Sequence, residues 1–247
     1  MKNIAYFILV SAIICTLSAC SSGEIQPTTP TDTQPPEGES VLTGKVVWVY
    51  ENGGILLACE DGTDLVSVPL PENNDMEVTT GQILYITYSG GLMESYPAQI
   101  SEVLSLKASQ QGEDFVGLYL RAITDLWEED KGLNDAVSLL AFDLTSVSNL
   151  TAAEKNALLY LVEMELGIET VPGTFESLSQ QGEIDSEALY FERGLLFEIQ
   201  LLDEGKSSIQ FSASKWRSGL GAYYYSDCTA EESENGWEYT VNAQAIS

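Results

Sequence analysis

Hydrophobic and polar positions alternate in short stretches after residue 40, which predicts a series of β-strands. The predicted strands span residues 41–50, 55–59, 65–69, 83–88 and 98–106. Turn signals such as Asn52-Gly53-Gly54, Asp61-Gly62 and Gly90-Gly91 separate them. Five short strands in a segment of this length are typical of a small Greek-key barrel. We therefore predict an all-β, OB-like barrel over residues 41–107.

A helical period replaces the alternation from about residue 113. Apolar residues recur at helical spacing and predict a helix that ends near Lys131-Gly132: Phe115, Leu118, Tyr119, Ala122 and Leu126. The run Thr151-Ala152-Ala153-Glu154 is a capping box, which predicts a second helix closed by Gly167. A short third helix is predicted over residues 174–181.

Strand patterns then dominate the remainder of the chain. Predicted strands span residues 137–144, 189–191, 195–202, 208–213, 220–230 and 237–245, and Asn235-Gly236 predicts a hairpin turn between the last two. Helices followed by strands favour an α+β arrangement. We predict an α+β domain over residues 108–247, with helices packed on an antiparallel sheet.

The N-terminal segment has the pattern of an export signal. A positive start at Lys2 precedes an apolar run over residues 4–14, which is too short to span a bilayer, and Leu17-Ser18-Ala19-Cys20 follows. These four residues resemble the lipobox of bacterial lipoproteins, which implies cleavage before Cys20 and lipid attachment to its thiol. Residues 1–19 are thus predicted as a signal peptide and the Pro- and Thr-rich residues 20–40 as a disordered stalk. The protein is expected on the outer face of the cell membrane, with the lipid anchor as its only membrane contact.

The charge balance restricts the partners. Without residues 1–19 the chain carries 9 Lys+Arg and 38 Asp+Glu, a net charge of −29. Such a charge argues against nucleic acid and against docking on anionic lipid. It is consistent with solubility, or with weak capture of divalent cations or of a basic partner.

The chain contains no histidine. This excludes Ser-His-Asp and Cys-His nucleophile systems and His-ligated zinc. Cys59 and Cys228 are the cysteines left after the predicted lipid site, which is too few for a four-cysteine zinc site. We expect both to be small buried residues. No catalytic constellation, cofactor site or metal site is predicted.

Two segments resemble known families of exported proteins. Residues 80–99 (TGQILYITYSGGLMESYPAQ), with 43–46 (TGKV) and 53–57 (GGILL), resemble the Domain of Unknown Function 3221 family. The resemblance implies a small β-barrel of Gram-positive exported proteins and lipoproteins, without an assigned activity. Residues 215–228 (KWRSGLGAYYYSDC) are similar to an uncharacterised exterior module of clostridial lipoproteins and sensor-type membrane proteins.

Two pairs of residues are candidate ligand contacts. Glu94 and Tyr96 could form a polar handle at the barrel rim, or Glu94 could cap loop amides while Tyr96 covers the barrel end. Trp216 and Arg217, beside Lys215, could receive an anionic ligand group or an acidic partner. The alternative for Arg217 is an internal salt bridge with stacking on an aromatic ring.

A tyrosine-rich pair of strands offers a third candidate. Tyr223, Tyr225, Trp237 and Tyr239 could form a sugar-stacking strip, but alternation along a strand requires one set to pack on the helices.

Three functions are consistent with these observations. The first is a non-catalytic binding or accessory module at the cell surface, with an envelope protein or a cell-wall component as its partner. The second is an extracytoplasmic sensor or regulatory module. The third is a cell-wall hydrolase that works through two carboxylates.

Overall fold

The first half of the fold is a six-stranded sheet. The computed structural model describes residues 38–71, 76–234 and 236–247. The strands are β1 (Glu39–Val49), β2 (Ile55–Cys59), β3 (Asp64–Val68), β4 (Gln82–Ser89), β5 (Ala98–Gln99) and β6 (Glu102–Gln111), in the order β5-β3-β2-β1-β4-β6. β3 and β5 are parallel, and the other neighbours are antiparallel.

The predicted closed barrel is wrong, because this sheet is open. The predicted strand over residues 98–106 is interrupted at Ile100, which is 2% exposed and donates its backbone N–H to Ser67 O (3.3 Å). β5 therefore lies at one edge beside β3, whereas β6 lies at the opposite edge beside β4.

The second half contains helices and a second six-stranded sheet. Its elements are α1 (Phe115–Glu128), a 3-10 turn (Lys131–Asn134), β7 (Leu139–Asp143), α2 (Ala152–Leu166), β8 (Glu169–Pro172), α3 (Phe175–Gln180), β9 (Gly194–Glu204), β10 (Ser208–Ser218), β11 (Gly221–Ser233) and β12 (Gly236–Ile246). The strand order is β12-β11-β10-β9-β7-β8.

The predicted antiparallel sheet is also wrong, because β7 is parallel to both β8 and β9. Its residues Leu139 to Phe142 are buried on both faces, the pattern of a parallel strand covered by helices. α2 forms the crossover from β7 to β8, the connection that parallel neighbours require. Among the described residues, 48% are in strands and 19% are helical, so this part of the chain is mostly β rather than a barrel followed by an α+β domain. The predicted strand over residues 189–191 is only an isolated bridge at Tyr190.

Several local predictions are confirmed. The Thr151 side chain accepts the N–H of Glu154 while the Glu154 carboxylate accepts the N–H of Thr151, and the helix ends at Gly167 in the left-handed region. Thr174 caps α3. β11 and β12 form a hairpin, although Asn235 in its turn lies outside the described residues. Cys59 and Cys228 are free and buried, and burial raises the pKa of each thiol to about 12.

The two halves share an apolar core. Val47, Leu56, Ala58 and Leu65 of the first sheet belong to the same buried cluster as α1, α2 and the second sheet. The opposite face of the first sheet has its own cluster, which includes Leu57. The division into domains at residues 41–107 and 108–247 stays a prediction.

The N-terminal predictions lie outside this description. The predicted signal peptide, Cys20 and most of the predicted stalk precede residue 38. Over the part of the chain that is described, no helix is long and apolar enough to cross a membrane.

Candidate functional site

A cleft of about 370 Å³ opens where the parallel strands β7 and β8 end. Its lining comes from three segments: Phe142, Asp143, Leu144 and Thr145; Ala152, Lys155, Asn156 and Leu159; Pro172, Gly173, Thr174 and Ser177. The carboxyl ends of parallel strands are the usual ligand site in sheets with helical crossovers, and the volume is within the range of small-molecule pockets. Among the surfaces described, this cleft is our candidate binding site.

Local hydrogen bonds shape the mouth of the cleft. Asp143 Oδ1 accepts the backbone N–H of Thr145 (3.0 Å) and its hydroxyl (2.6 Å), which turns the chain away from β7. Gly173 donates its N–H to Phe142 O (3.0 Å) and keeps the end of β8 beside β7. The capping boxes at Thr151 and Thr174 then start α2 and α3 on either side.

The cleft combines apolar walls with two separate charges. Phe142, Leu144 and Leu159 provide buried apolar side chains. The half-buried Lys155 donates one hydrogen bond from Nζ to Leu144 O (2.8 Å), although an ammonium has three donors. Asp143 is half-buried at the end of β7. In the described part of the chain, Lys155 and Asp143 do not form an ion pair with each other.

The helix that carries Lys155 is held by the first sheet. Lys45 of β1 forms a 2.6 Å ion pair with the buried Glu154, whose other carboxylate oxygen completes the capping box. Asn156 donates to both carboxylate oxygens of Asp64 (3.0 and 3.1 Å). The position of the cleft wall therefore depends on contacts that residues 41–107 supply.

Glu94 and Tyr96 lie in the loop between β4 and β5, outside the cleft lining. Glu94 is exposed. Tyr96 is 62% exposed, donates its hydroxyl to Asp64 Oδ2 (3.2 Å) and meets Tyr160 of α2 edge-on at 6.2 Å. Desolvation, followed by the charge of Asp64, raises the pKa of Tyr96 to about 12. Since the barrel is absent, the predicted rim site has no counterpart, and Tyr96 instead contributes to the contact with α2.

Trp216 and Arg217 lie on β10, which continues beyond residue 213, the predicted end of this strand. Arg217 donates to three backbone carbonyls: Leu133 O (2.7 Å), Asp135 O (2.6 Å) and Glu192 O (3.1 Å). The half-buried Trp216 packs edge-on against Phe175 at 5.3 Å. The guanidinium thus holds the loop after α1, through carbonyls rather than through the predicted salt bridge with an acid.

Lys215 is fully buried at the C-terminal end of α1. Its ammonium donates to Trp127 O (3.1 Å), Glu129 O and Asn134 Oδ1 (3.0 Å). Desolvation lowers the pKa of Lys215 from 10.5 to about 8, and the charges of Asp130, Glu129 and Glu128 oppose this shift. Lys215 therefore neutralises the negative end of the helix.

Most of the proposed sugar-stacking strip is core. Tyr223, Tyr225 and Trp237 are each 5% exposed or less. Tyr239 is half-buried and donates its hydroxyl to Asp125 Oδ2 (2.6 Å), and desolvation followed by that hydrogen bond raises its pKa. These rings pack against the helices. The alternation of side chains along a strand predicted this for one of the two sets of aromatic residues.

Sequence reasoning missed the cleft, because its residues come from three segments that the chain brings together only through parallel pairing. A signal was present in the unbroken apolar run Leu139-Leu140-Ala141-Phe142 followed by Asp143, which is typical of a parallel strand and its functional end. In residues 38–71, 76–234 and 236–247, no three acidic or cysteine side chains gather closely enough to hold a metal ion.

No protein-family model, curated protein or solved structure matches this chain. The two family resemblances of residues 41–107 and 215–228 therefore stay predictions.

Proposed function

We propose that this chain is a lipid-anchored, non-catalytic binding module on the outer face of the cell membrane, which takes a small ligand in the cleft at the ends of β7 and β8. The observation that carries the proposal is an apolar cleft of ligand size with Lys155 in its wall. The lack of histidine favours binding over catalysis. The net charge leaves nucleic acid and anionic lipid as unfavourable partners.

The location is tested through Cys20. Cells that express the chain and are fed a fatty-acid probe should label the protein, and Cys20→Ser should abolish the label. Lipid retained by the Cys20→Ser protein would contradict the anchor without affecting the cleft.

The cleft is tested by filling it. Ala152 is an exposed lining residue on α2, so Ala152→Trp should place an indole ring in the cleft. Met164→Trp is the matched control, because it puts the same ring on the same helix at a 46% exposed position outside the lining.

The measurement is the thermal midpoint in the presence of the small-molecule fraction of a cell-envelope extract. The fraction should raise the midpoint of the wild type and of Met164→Trp, because a ligand that binds the folded state stabilises it. It should leave Ala152→Trp unchanged. An equal rise in all three proteins would place binding elsewhere.

A sensor role is the second candidate, and the double use of α2 favours it. α2 lines the cleft and also contacts the first sheet, since Glu154 pairs with Lys45, and Asn156, itself a lining residue, bonds to Asp64. A ligand that displaces α2 would change these contacts. Ligand-dependent hydrogen exchange at the backbone of residues 41–49 would distinguish this role from binding alone.

A further inference from the structure

Building on the proposed function, we infer that the ligand of this cleft is a zwitterion with an apolar side chain, of the size of an amino acid. Lys155 receives its carboxylate, Asp143 receives its ammonium group, and the apolar wall receives its side chain.

The two charges of the cleft are arranged around one peptide unit. Lys155 Nζ donates to the carbonyl oxygen of Leu144 (2.8 Å), and Asp143 Oδ1 accepts the N–H of Thr145 (3.0 Å). The C=O and N–H of a trans peptide point in opposite directions, so the ammonium and the carboxylate lie on opposite sides of the Leu144–Thr145 bond. Two hydrogen bonds and one peptide unit separate them by at most about 8 Å.

This separation suits an amino acid. A ligand that carries its ammonium and carboxylate on one carbon covers a similar span when a hydrogen bond of about 2.8 Å extends from each end. Both protein groups retain capacity for such bonds. The Lys155 ammonium uses one of three donors, and both Thr145 groups bond to the Oδ1 atom of Asp143, which leaves Oδ2 for a ligand.

Charge balance excludes simpler ligands. An anion that pairs only with Lys155 would lie near the Asp143 carboxylate, in a chain of net charge −28. A cation that pairs only with Asp143 would leave Lys155 without a ligand partner and would be repelled by it. A neutral zwitterion satisfies both groups and adds no net charge.

The remaining surface of the cleft defines the side chain. Phe142, Leu144 and Leu159 are each 7% exposed or less and line it together with Pro172. A volume of about 370 Å³ holds one apolar side chain with its backbone. A branched aliphatic or aromatic side chain would bury its surface here.

The test is calorimetric titration of the full soluble chain, residues 21–247, with four probes. Leucine carries both charges on one carbon, leucyl-leucine carries them farther apart, N-acetyl-leucine lacks the ammonium group, and leucine amide lacks the carboxylate. We expect the wild type to bind leucine, and to bind each of the other three at least tenfold more weakly.

Two variants assign the charges. Lys155→Met keeps the aliphatic stem and should remove the preference for leucine over leucine amide. Asp143→Asn keeps the turn acceptor and should remove the preference for leucine over N-acetyl-leucine. If either variant fails to fold, the titration of the wild type with the four probes still tests the proposal.

Equal wild-type affinity for leucine and N-acetyl-leucine would overturn the zwitterion assignment, and so would the absence of binding by all four probes. If the extract fraction still stabilised the wild type but not Ala152→Trp, the ligand class would be wrong and the binding function would stand. If neither the probes nor the fraction acted through the cleft, both proposals would fall.

Discussion

Two regions of this acidic protein use a lysine in opposite ways. At the C-terminal end of α1, Lys215 is fully buried and directs its ammonium at Trp127 O, Glu129 O and Asn134 Oδ1. At the cleft, Lys155 is half-buried and donates to a single carbonyl, Leu144 O. The first lysine has its donors taken by the fold, whereas the second retains donors for a ligand.

The difference follows from what each helix end requires. α1 ends in Glu128, Glu129 and Asp130, which cannot neutralise the carbonyls of its last turn. Lys215 supplies the missing positive charge, and Lys131 pairs with Glu128 at 2.6 Å. Lys155 lies instead in the first turn of α2, where the free backbone groups are N–H donors that an ammonium cannot satisfy, and the capping box already bonds those of Thr151 and Glu154. A lysine or arginine of this acidic protein is therefore a candidate ligand contact only if backbone carbonyls do not already use its hydrogen-bond donors.

The largest expected effect is at Lys215. Lys215→Met keeps most of the side-chain volume but leaves two carbonyls and an amide oxygen without a donor. We therefore expect the free energy of unfolding to fall by about 3 to 5 kcal/mol relative to the wild type. Urea denaturation measures this change. Lys206→Met, at an exposed position, is the control and should be nearly neutral. An unchanged free energy of unfolding in Lys215→Met would mean that water molecules donate to the carbonyls at the end of α1.

The pH dependence of Lys215 gives the next effect. Its folded-state pKa of about 8 lies below the ordinary 10.5, so between these values the unfolded chain binds a proton that the folded chain does not. The contribution of Lys215 to the free energy of unfolding therefore rises with pH, by about 2 kcal/mol between pH 8 and 9.5.

Subtraction isolates that contribution. The difference in unfolding free energy between the wild type and Lys215→Met should grow across this range, because other titrating groups are common to both proteins. A difference that shrinks as the pH rises would show that the ammonium is favoured by its acceptors more than it is disfavoured by burial.

Arg217→Ala should have a somewhat smaller effect. The substitution removes the donor to Leu133 O, Asp135 O and Glu192 O, but these carbonyls lie close enough to the surface for partial hydration, so we expect a loss of about 1 to 2 kcal/mol. Arg193→Ala is the control, because Arg193 forms an exposed pair with Glu183 that should contribute about 1 kcal/mol or less. A thermal midpoint for Arg217→Ala equal to that of the wild type would return Arg217 to the list of ligand contacts.

Local signals predicted the elements of this fold better than their pairing. The capping box at Thr151 and the closing Gly167 gave the limits of α2, because both depend on neighbouring residues alone. Pairing depends on distant segments. The alternation after Ala98 could not show that two residues would pair with β3 while the ten from Glu102 onward would pair with β4, so that the sheet stays open.

The sequence pattern predicts the role of one of the two lysines but not of the other. Ile209, Phe211 and Ala213 alternate inward along β10, so the same period places Lys215 in the core rather than in a binding loop. No comparable local pattern marks Lys155, whose helix is defined by its cap and whose cleft is defined by β7 and β8. The net charge of the chain indicates that lysines and arginines are scarce. Only their hydrogen bonds in the structure distinguish those that stabilise the fold from those with donors left for a ligand.

The smallest expected effect, at Lys155, decides the comparison. Lys155→Met is the same chemical change as Lys215→Met, yet it removes one hydrogen bond at a half-buried position where water can replace the donor to Leu144 O. We expect the unfolding free energy to fall by less than about 1 kcal/mol, measured in the same urea titration. A loss comparable to that of Lys215→Met would make Lys155 part of the scaffold, and the cleft would then lose the group on which its ligand assignment depends. A nearly unchanged free energy of unfolding would mean that the fold does not need the Lys155 ammonium, as the proposed role in ligand binding requires.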